Sequence, residues 1–174
     1  MSGRGEVNSM ATCGEERLVV GMGDNHVYLM DVETRAMIHV FSGHTNYVHS
    51  VDTCDNIIAS GGEDGSVRLW DLKLKESVHE MKPKDKSDLA RPKLGGHVSS
   101  VAVSGDWLAC GGGPAPALWH LKSLTMASSL PPGNNNNELV KVVKFHDDTL
   151  MVAGTGRVLY QANISGELKA GFSI

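Results

Sequence analysis

Apolar and polar positions alternate along this chain in short runs separated by turn residues, which is typical of β-strands with one face toward solvent. The clearest set lies between residues 43 and 81. It contains a Glu63-Asp64-Gly65 turn and four strand-like runs, at 47–53, 56–60, 66–71 and 76–80. Four short strands joined by tight turns predict one antiparallel, four-stranded sheet.

Similar sets of runs occur along the rest of the chain. The pattern predicts four units, approximately 5–41, 43–81, 97–130 and 138–173, with loops at 82–96 and 131–137. A repeat of about 40 residues that holds four strands is typical of one blade of a β-propeller. We therefore predict an all-β, WD-repeat type of β-propeller made of four-stranded antiparallel blades, with almost no helix. Because such propellers commonly have about seven blades, we expect these four to form part of a larger ring.

Four residues of the 43–81 unit are of types that can form a buried hydrogen-bond network. If the strands pair as a meander, the Trp70 indole N–H can point at the Ser60 hydroxyl, which can meet the His44 imidazole. The Asp64 carboxylate can hold that imidazole from the turn. The sequence thus predicts a structural tetrad of these residues, because a buried network is favourable when every member has a partner. The alternative is that His44 is a ligand or a catalytic base.

The other units keep only part of this set. In the first unit Met30 stands at the position of Trp70, about 40 residues earlier. In the third unit Trp119 is present, but Cys110 replaces Ser60 and the turn from Gly111 to Pro116 has no aspartate. In the fourth unit the pattern places Ala153 at the position of Ser60 and Tyr160 near that of Trp70. The three glycines of the third unit could suggest a phosphate-binding loop, but no Gly-Lys-Ser/Thr follows, so a tight hairpin with close backbone approach is the preferred interpretation.

Basic residues cluster in the polar loop 82–96, interrupted by two aspartates. They could contact RNA or an acidic partner, or act as a nuclear-targeting element, but a solvated connector between blades is the simpler interpretation. The basic residues are Lys82, Lys84, Lys86, Arg91 and Lys93.

Composition narrows the possible functions. The chain has 174 residues, a formal net charge of −4 and a pI near 6.0, whereas proteins that bind nucleic acid by electrostatics alone are strongly basic. Any RNA contact should therefore be weak or made through a partner. The three cysteines have no CxxC spacing, so we expect neither disulfides nor a metal site, and a reducing compartment. No apolar run approaches the length needed to span a membrane, and we expect no membrane partner.

Several segments resemble the THO complex subunit 6 family of WD-repeat proteins. They are FSGHTNYVHSV, SGGEDGSVRLWDLK, ACGGGPAPALWHL and GRVLYQANISGELKA, and the resemblance extends from about residue 7 to residue 171. It implies a non-enzymatic scaffold in the nucleus that acts in mRNA processing, splicing and export as part of the THO/TREX complex. The implied partners are other THO subunits, and no cofactor or small-molecule substrate is implied.

A substrate receptor of a cullin-type ubiquitin ligase is the alternative function. WD-repeat receptors of that class use a Trp-Asp-x-Arg motif, whereas this chain has Trp70-Asp71-Leu72-Lys73, and lysine lacks the planar, bidentate guanidinium of arginine. An enzyme is not expected, since the sequence has no HExxH or GxSxG motif and no paired carboxylates on one rigid element.

Overall fold

The computed structural model describes residues 5–130, 139–156, 158–165 and 167–173. These parts contain sixteen β-strands and two short 3-10 helices, Pro83–Asp85 and Pro92–Leu94. The strands are β1 Val7–Cys13, β2 Arg17–Met22, β3 His26–Asp31, β4 Met37–Ser42, β5 Val48–Cys54, β6 Ile57–Gly62, β7 Val67–Asp71, β8 Glu76–Met81, β9 Val98–Ser104, β10 Trp107–Gly112, β11 Ala117–His120, β12 Thr125–Ser129, β13 Val140–His146, β14 Thr149–Gly154, β15 Val158–Asn163 and β16 Leu168–Ser173.

The strands form four sheets of four strands each. The sheets are β1–β4, β5–β8, β9–β12 and β13–β16, and strands that follow each other in sequence pair antiparallel within each sheet. This confirms the predicted all-β fold of four-stranded antiparallel units. Within the described ranges, no helix is long and apolar enough to cross a membrane.

The β2–β3 and β6–β7 turns have the same local structure. Gly65 has φ 78° and Asn25 has φ 74°, a left-handed conformation that glycine adopts freely and asparagine tolerates better than most residues. The preceding residues, Asp64 and Asp24, each accept the backbone N–H two residues further on, at 3.0 and 3.2 Å. Each turn is therefore stabilised by its own aspartate, as is usual for Asx turns.

Each sheet packs face to face on the next, and a glycine on the second strand lies at this contact. A Cβ built on Gly61 would lie 2.6 Å from Val98 Cγ1 of the third sheet. The same construction gives 2.8 Å at Gly21 and 2.5 Å at Gly111, again to a valine Cγ1 of the following sheet. These glycines allow the backbones to approach more closely than alanine would.

The first strands of successive sheets are linked by serine hydroxyls. Backbone N–H groups on β5, β9 and β13 donate to a serine of the preceding sheet, over 3.1, 3.1 and 3.0 Å: Val51 to Ser9, Val101 to Ser50 and Val143 to Ser100. These strands line a cavity of ≈ 480 Å³. The first strands thus lie side by side on the inner edge of the four sheets, as in the centre of a propeller.

The loop 82–96 is not the solvated connector that its polarity predicts. Leu89 is fully buried and belongs to the core between the second and third sheets. Its carbonyl accepts the N–H of Ala115 at 2.8 Å, and Pro83 is buried as well. Burial of one leucine contributes about 1.5–3 kcal/mol toward holding this mostly polar segment against the sheets.

The strand register corrects two sequence assignments in the fourth sheet. Val152 pairs with Val143 as Ser60 pairs with Val51, so Val152 stands at the Ser60 position and Ala153 one residue later. Ala162 pairs with Leu150, which puts it, and not Tyr160, at the Trp70 position. Both positions keep the spacing of the second sheet, since 10 residues separate Val152 from Ala162 as they separate Ser60 from Trp70. The predicted loop 131–137 lies outside the described residues.

The glycine run of the third sheet is a hairpin between β10 and β11, as the preferred interpretation predicted. Gly112 and Gly113 lie against the backbone of residues 94–99, where a Cβ would overlap with main-chain atoms. No helix of the described residues begins after this run, so the geometry needed for phosphate binding at a helix N-terminus is not formed.

Candidate functional site

A chain of hydrogen bonds joins His44, Ser60, Asp64 and Trp70 between the first and second sheets. His44 follows β4, Ser60 lies on β6, Asp64 in the next turn and Trp70 on β7. His44 Nδ1 lies 2.9 Å from Asp64 Oδ2, and its Nε2 lies 2.7 Å from Ser60 Oγ. The Trp70 indole N–H donates to Ser60 Oγ at 2.8 Å.

The donors and acceptors of this chain fix its direction. The Trp70 indole is only a donor, so Ser60 Oγ accepts from it and donates its own proton to His44 Nε2. His44 Nδ1 then carries the ring proton and donates to the Asp64 carboxylate, which accepts only. Every polar atom along this path has a partner, which is the condition for a favourable buried network.

Asp64 accepts more hydrogen bonds than the sequence pattern suggested. Its Oδ2 also accepts the backbone N–H of Thr45 at 2.9 Å, and its Oδ1 accepts both the N–H and the hydroxyl of Ser66, at 3.0 and 2.7 Å. Burial raises the pKa of the Asp64 carboxyl, but the hydrogen bonds from His44, Ser66 and Thr45 outweigh burial and hold it well below its usual range. The Asp-Gly-Ser sequence of this turn is the signal that could have identified Ser66.

Ser60, His44 and Asp64 are linked in the order found in serine hydrolases, but their environment does not permit nucleophilic catalysis. Ser60 has no exposed surface and His44 is 6% exposed. The Ser60 hydroxyl oxygen already accepts from Trp70, and a nucleophile must be able to reach a substrate carbon. Both ring nitrogens of His44 are used in the network, so the imidazole has no nitrogen left for a ligand. Among the described residues, no group of three or more His, Cys, Asp or Glu side chains could hold a metal ion.

The equivalent places in the neighbouring sheets are filled differently. In the third sheet, the Cys110 thiol stands where Ser60 stands in the second, and burial raises its pKa to about 12. The nearby Trp119 indole N–H lowers that pKa against burial, but a thiol is a weak acceptor and no hydrogen bond of ordinary geometry forms between them. In the first sheet, Met30 and Val20 replace the Trp and Ser, so apolar packing takes the place of the network there.

The lysines of the 82–96 loop do not form one continuous contact surface. Lys84 Nζ donates to the backbone carbonyl of Asp64 at 2.9 Å. Lys82 Nζ lies 3.7 Å from a glutamate carboxylate on β8, while Lys86 and Lys93 are exposed. Less positive charge is therefore available to a partner than the sequence suggests.

Arg91 is bound to the turn of the third sheet that lacks an aspartate. Its guanidinium donates to three consecutive backbone carbonyls, those of Gly112 (2.9 Å), Gly113 (2.9 Å) and Pro114 (2.7 Å). The planar guanidinium suits such a set of acceptors because its N–H groups diverge at fixed angles. Nothing in the local sequence links Arg91 to residues more than twenty positions away.

Comparison with known proteins places this network within a family pattern. The family model "WD domain, G-beta repeat" matches residues 35–71. The match begins before β4 and ends with the last residue of β7, so it includes all four residues of the network.

Curated relatives match nearly the whole chain. THO complex subunit 6 of Homo sapiens is 38% identical over 168 residues, which are 95% of this chain and 48% of the human protein. The Drosophila melanogaster protein of the same name is 33% identical over 97% of this chain and 48% of its own length. The Arabidopsis thaliana protein is 31% identical over 94% and 43%. The chain thus spans about half the length of these relatives.

A solved structure supports the fold. The computationally designed Ika8 protein superposes with a TM-score of 0.73 over 93% of this chain and 47% of the designed chain, at 16% identity. Identity at that level shows the fold alone. The chain thus has a propeller-type fold, contains a WD repeat at residues 35–71 and is similar to THO complex subunit 6 along nearly all of its own length.

Proposed function

We propose that this chain is a non-enzymatic scaffold subunit of a THO-type complex that acts in mRNA processing and nuclear mRNA export. The observation that carries this proposal is the 38% identity to human THO complex subunit 6 over 168 residues. The fold supports a scaffold role, since propeller-type sheets present wide surfaces to protein partners. The burial of Ser60 argues against a hydrolytic role for the Ser60–His44–Asp64 set.

The proposed partners are other subunits of the same complex, and the proposed location is the nucleus. We propose that RNA is contacted weakly or through those partners. The net charge of −4 supports this, and so do the contacts of Lys84 and Arg91, whose charged groups already donate to backbone carbonyls. A residual role of Lys86 and Lys93 in binding an acidic partner belongs to the same proposal.

Affinity capture tests the proposal. The tagged chain is expressed in human cells, and bound proteins are quantified by mass spectrometry at several salt concentrations. We expect THO subunits to be recovered at every concentration, because surface charge contacts weaken with salt whereas packed interfaces persist. A Lys86→Ala, Lys93→Ala double variant separates charge contacts from packed interfaces: it should recover the same THO subunits and lose only those partners that bind through the charge of this loop. Recovery of no THO subunit would contradict the proposal.

The same experiment decides the ubiquitin-ligase alternative. If the Trp70–Lys73 segment bound a ligase adaptor, Lys73→Arg would restore the bidentate group that such motifs use and increase recovery of the adaptor. We expect no ligase adaptor to be recovered with the parent chain or with the Lys73→Arg variant. Adaptor recovery that rises with Lys73→Arg, together with loss of THO subunits, would favour the alternative.

We propose that the tetrad of His44, Ser60, Asp64 and Trp70 has a structural role within this scaffold. Its position supports this, since Trp70 packs against Phe41 of the first sheet with ring centroids 5.5 Å apart. The network therefore stabilises the second sheet at its contact with the first.

A further inference from the structure

An open, mostly apolar hollow of ≈ 380 Å³ lies between the second and third sheets. Leu69 at this hollow is part of the core between the two sheets, and Ile57 and Leu121 are partly buried and pack against that core. Val78 and Leu124 complete the apolar lining and are 44% and 38% exposed. Because ligand pockets have volumes of about 300–1,000 Å³, an apolar surface of binding size extends here from the core to the solvent.

The corresponding gap between the first and second sheets is filled. Ile38 lies at the register shift of β4, where β8 has Val78, and it packs against the core of that contact. The next residue, His39, donates through its ring to the Lys75 carbonyl of the second sheet at 3.0 Å. His79 follows Val78 in the same way but lines the hollow, and within the described ranges no hydrogen bond joins its ring to the third sheet. The hollow therefore comes from the side chains of these two sheets and is not required by the fold.

Leu124 is an unusual residue for its place in the β11–β12 turn. Its φ is 54°, and the residues at the same place in the first and second sheets, Arg35 and Lys75, have φ 59° and 58°. Residues other than glycine, asparagine and aspartate are uncommon in this left-handed conformation. An exposed leucine here contributes neither to the backbone conformation nor to the core, which fits a role in contacting another molecule.

The hollow opens on a face with many carboxylates. β1, β5, β9 and β13 run in the same direction, as the hydrogen bonds between neighbouring first strands show, so the turns that follow these strands lie on one face. Every one of these turns carries an acidic residue: Glu15, Glu16, Asp55, Asp106, Asp147 and Asp148. A face of this charge attracts a cationic partner and raises its rate of association.

Two of these carboxylates, Asp55 and Asp106, line the hollow itself. Lys122 also lines it, and its Nζ donates to Asp106 Oδ2, so this pair has no net charge. Lys73 and Lys75, on the neighbouring β7–β8 turn, do not line the hollow. Asp55 is exposed, and within the described ranges no basic side chain forms an ion pair with it. A cation bound beside the hollow would therefore meet an available carboxylate at Asp55.

We propose that this hollow binds a peptide segment of a partner protein in which a large apolar side chain is flanked by lysine or arginine. The apolar side chain enters the hollow between Val78 and Leu124, and the flanking cation pairs with Asp55. An apolar anchor in a pocket supplies most of the affinity, while charges at the rim select the partner. The proposal concerns a site on this chain and does not depend on the proposed scaffold role, because it is tested with the purified chain alone.

Binding of short fluorescent peptides to the purified chain tests the proposal. One peptide has a central phenylalanine flanked by lysines, a second has glutamates in place of the lysines, and a third has serine in place of the phenylalanine. We expect only the first to bind, with an affinity that falls as salt rises. Leu124→Asp should weaken this binding about tenfold or more, because the apolar side chain would lie against an unpaired carboxylate. Leu74→Asp is the matched control, at an exposed leucine of a neighbouring turn that does not line the hollow, and should bind as the parent chain does.

Asp55→Asn tests the place of the cation. Asparagine tolerates the φ of 54° at this position, and its neutral amide should reduce the preference for lysine over glutamate in the peptide. Urea unfolding shows whether each variant is folded. Aspartate suits the backbone of residue 124 better than leucine does, so Leu124→Asp should keep the parent fold, and Val78→Asp takes its place if it does not.

Four results would overturn the proposal. They are no binding of any peptide, equal affinity for the lysine and glutamate peptides, an unchanged preference in Asp55→Asn, and equal binding by Leu124→Asp and Leu74→Asp. A parent chain that is dimeric in solution and becomes monomeric as Leu124→Asp would also overturn it, because a second copy of the chain would then occupy the hollow.

Discussion

At the scale of single residues, Asp64 is the group on which the network of the second sheet depends most. It accepts from the His44 ring, from the Ser66 hydroxyl and from two backbone N–H groups. Ser60 and Trp70 lie further along the same path and depend on His44 being held in one orientation. Loss of the Asp64 carboxylate would therefore affect every hydrogen bond of the network, as far as the Trp70 indole.

We expect Asp64→Ala to lower the free energy of unfolding by roughly 1–3 kcal/mol. The substitution removes the acceptor of the Thr45 and Ser66 N–H groups and leaves the buried His44 Nδ1–H with only Ser66 Oγ, at 3.2 Å. Urea unfolding followed by Trp fluorescence measures the change. Asp148→Ala, at an exposed aspartate, is the matched control and should change stability little. Equal stabilities of the two variants would show that the network is dispensable.

The depressed pKa of Asp64 predicts how stability depends on pH. In the unfolded chain this carboxyl takes up its proton near the ordinary value of 3.8, whereas in the folded chain it does so at lower pH. Below about pH 4 the unfolded state thus binds more protons, and the free energy of unfolding falls as pH falls. The contribution of Asp64 is fully present above that range. Asp64→Asn should show a shallower loss of stability between about pH 5 and pH 3, and parallel curves for parent and variant would contradict this explanation.

At the scale of structural elements, the 82–96 loop connects the turns of two adjacent sheets. Lys84 donates to the backbone of the β6–β7 turn, and Arg91 donates to the backbone of the β10–β11 turn. Leu89 lies between them in the core. Arg91 thus stabilises the β10–β11 turn of the third sheet by hydrogen bonds from outside that sheet. In the second sheet, Asp64 stabilises the β6–β7 turn from within the sheet itself.

We expect Arg91→Ala to destabilise the third sheet by about 1–3 kcal/mol, because the carbonyls of residues 112–114 are buried and lose a charged donor. Arg91→Lys should recover only part of the loss, since an ammonium group cannot match the guanidinium geometry. Hydrogen exchange of the 86–96 amides should quicken in both variants. Lys93→Ala, at an exposed basic residue of the same loop, is the control, and an equal effect there would rule out a specific role for Arg91.

At the scale of the whole molecule, the packing contact between adjacent sheets is repeated three times in nearly the same form, and we expect stability to depend on it. A glycine on one sheet meets a valine pair on the next, and a serine hydroxyl accepts a backbone N–H across the same gap. Within the described ranges, the larger contacts between sheets join each sheet to the next, so we expect these contacts to set the cooperativity of unfolding.

We expect Gly61→Ala to destabilise the chain by about 1–3 kcal/mol through overpacking, because the new Cβ would lie 2.6 Å from Val98 Cγ1. Val98→Ala should be destabilising alone but should relieve the clash in the double variant. A double-mutant cycle in urea should therefore give a coupling energy of about 0.5–3 kcal/mol. Additive effects of the two substitutions would show that the sheets can move apart at this contact without lowering the free energy of unfolding.

The sequence by itself determined the strands, the turns and the residues of the network. Strand alternation and turn residues such as Asp64-Gly65 are local signals, so they can be recognised in the sequence without knowledge of the fold. The same holds for His44, Ser60, Asp64 and Trp70, because all four lie within one repeat and their spacing follows from hairpin pairing.

Only the tertiary structure decided what happens between repeats. The burial of Leu89 and the contacts of Arg91 join segments that are more than twenty residues apart, and no local pattern encodes which gap a loop residue fills. The register that moved the Ser60 position from Ala153 to Val152 is set by pairing with β13, and a run of small and apolar residues does not show by itself which of them takes that position. Packing between sheets is set by shape and distance across a gap, and those are properties of the folded chain rather than of the order of its residues.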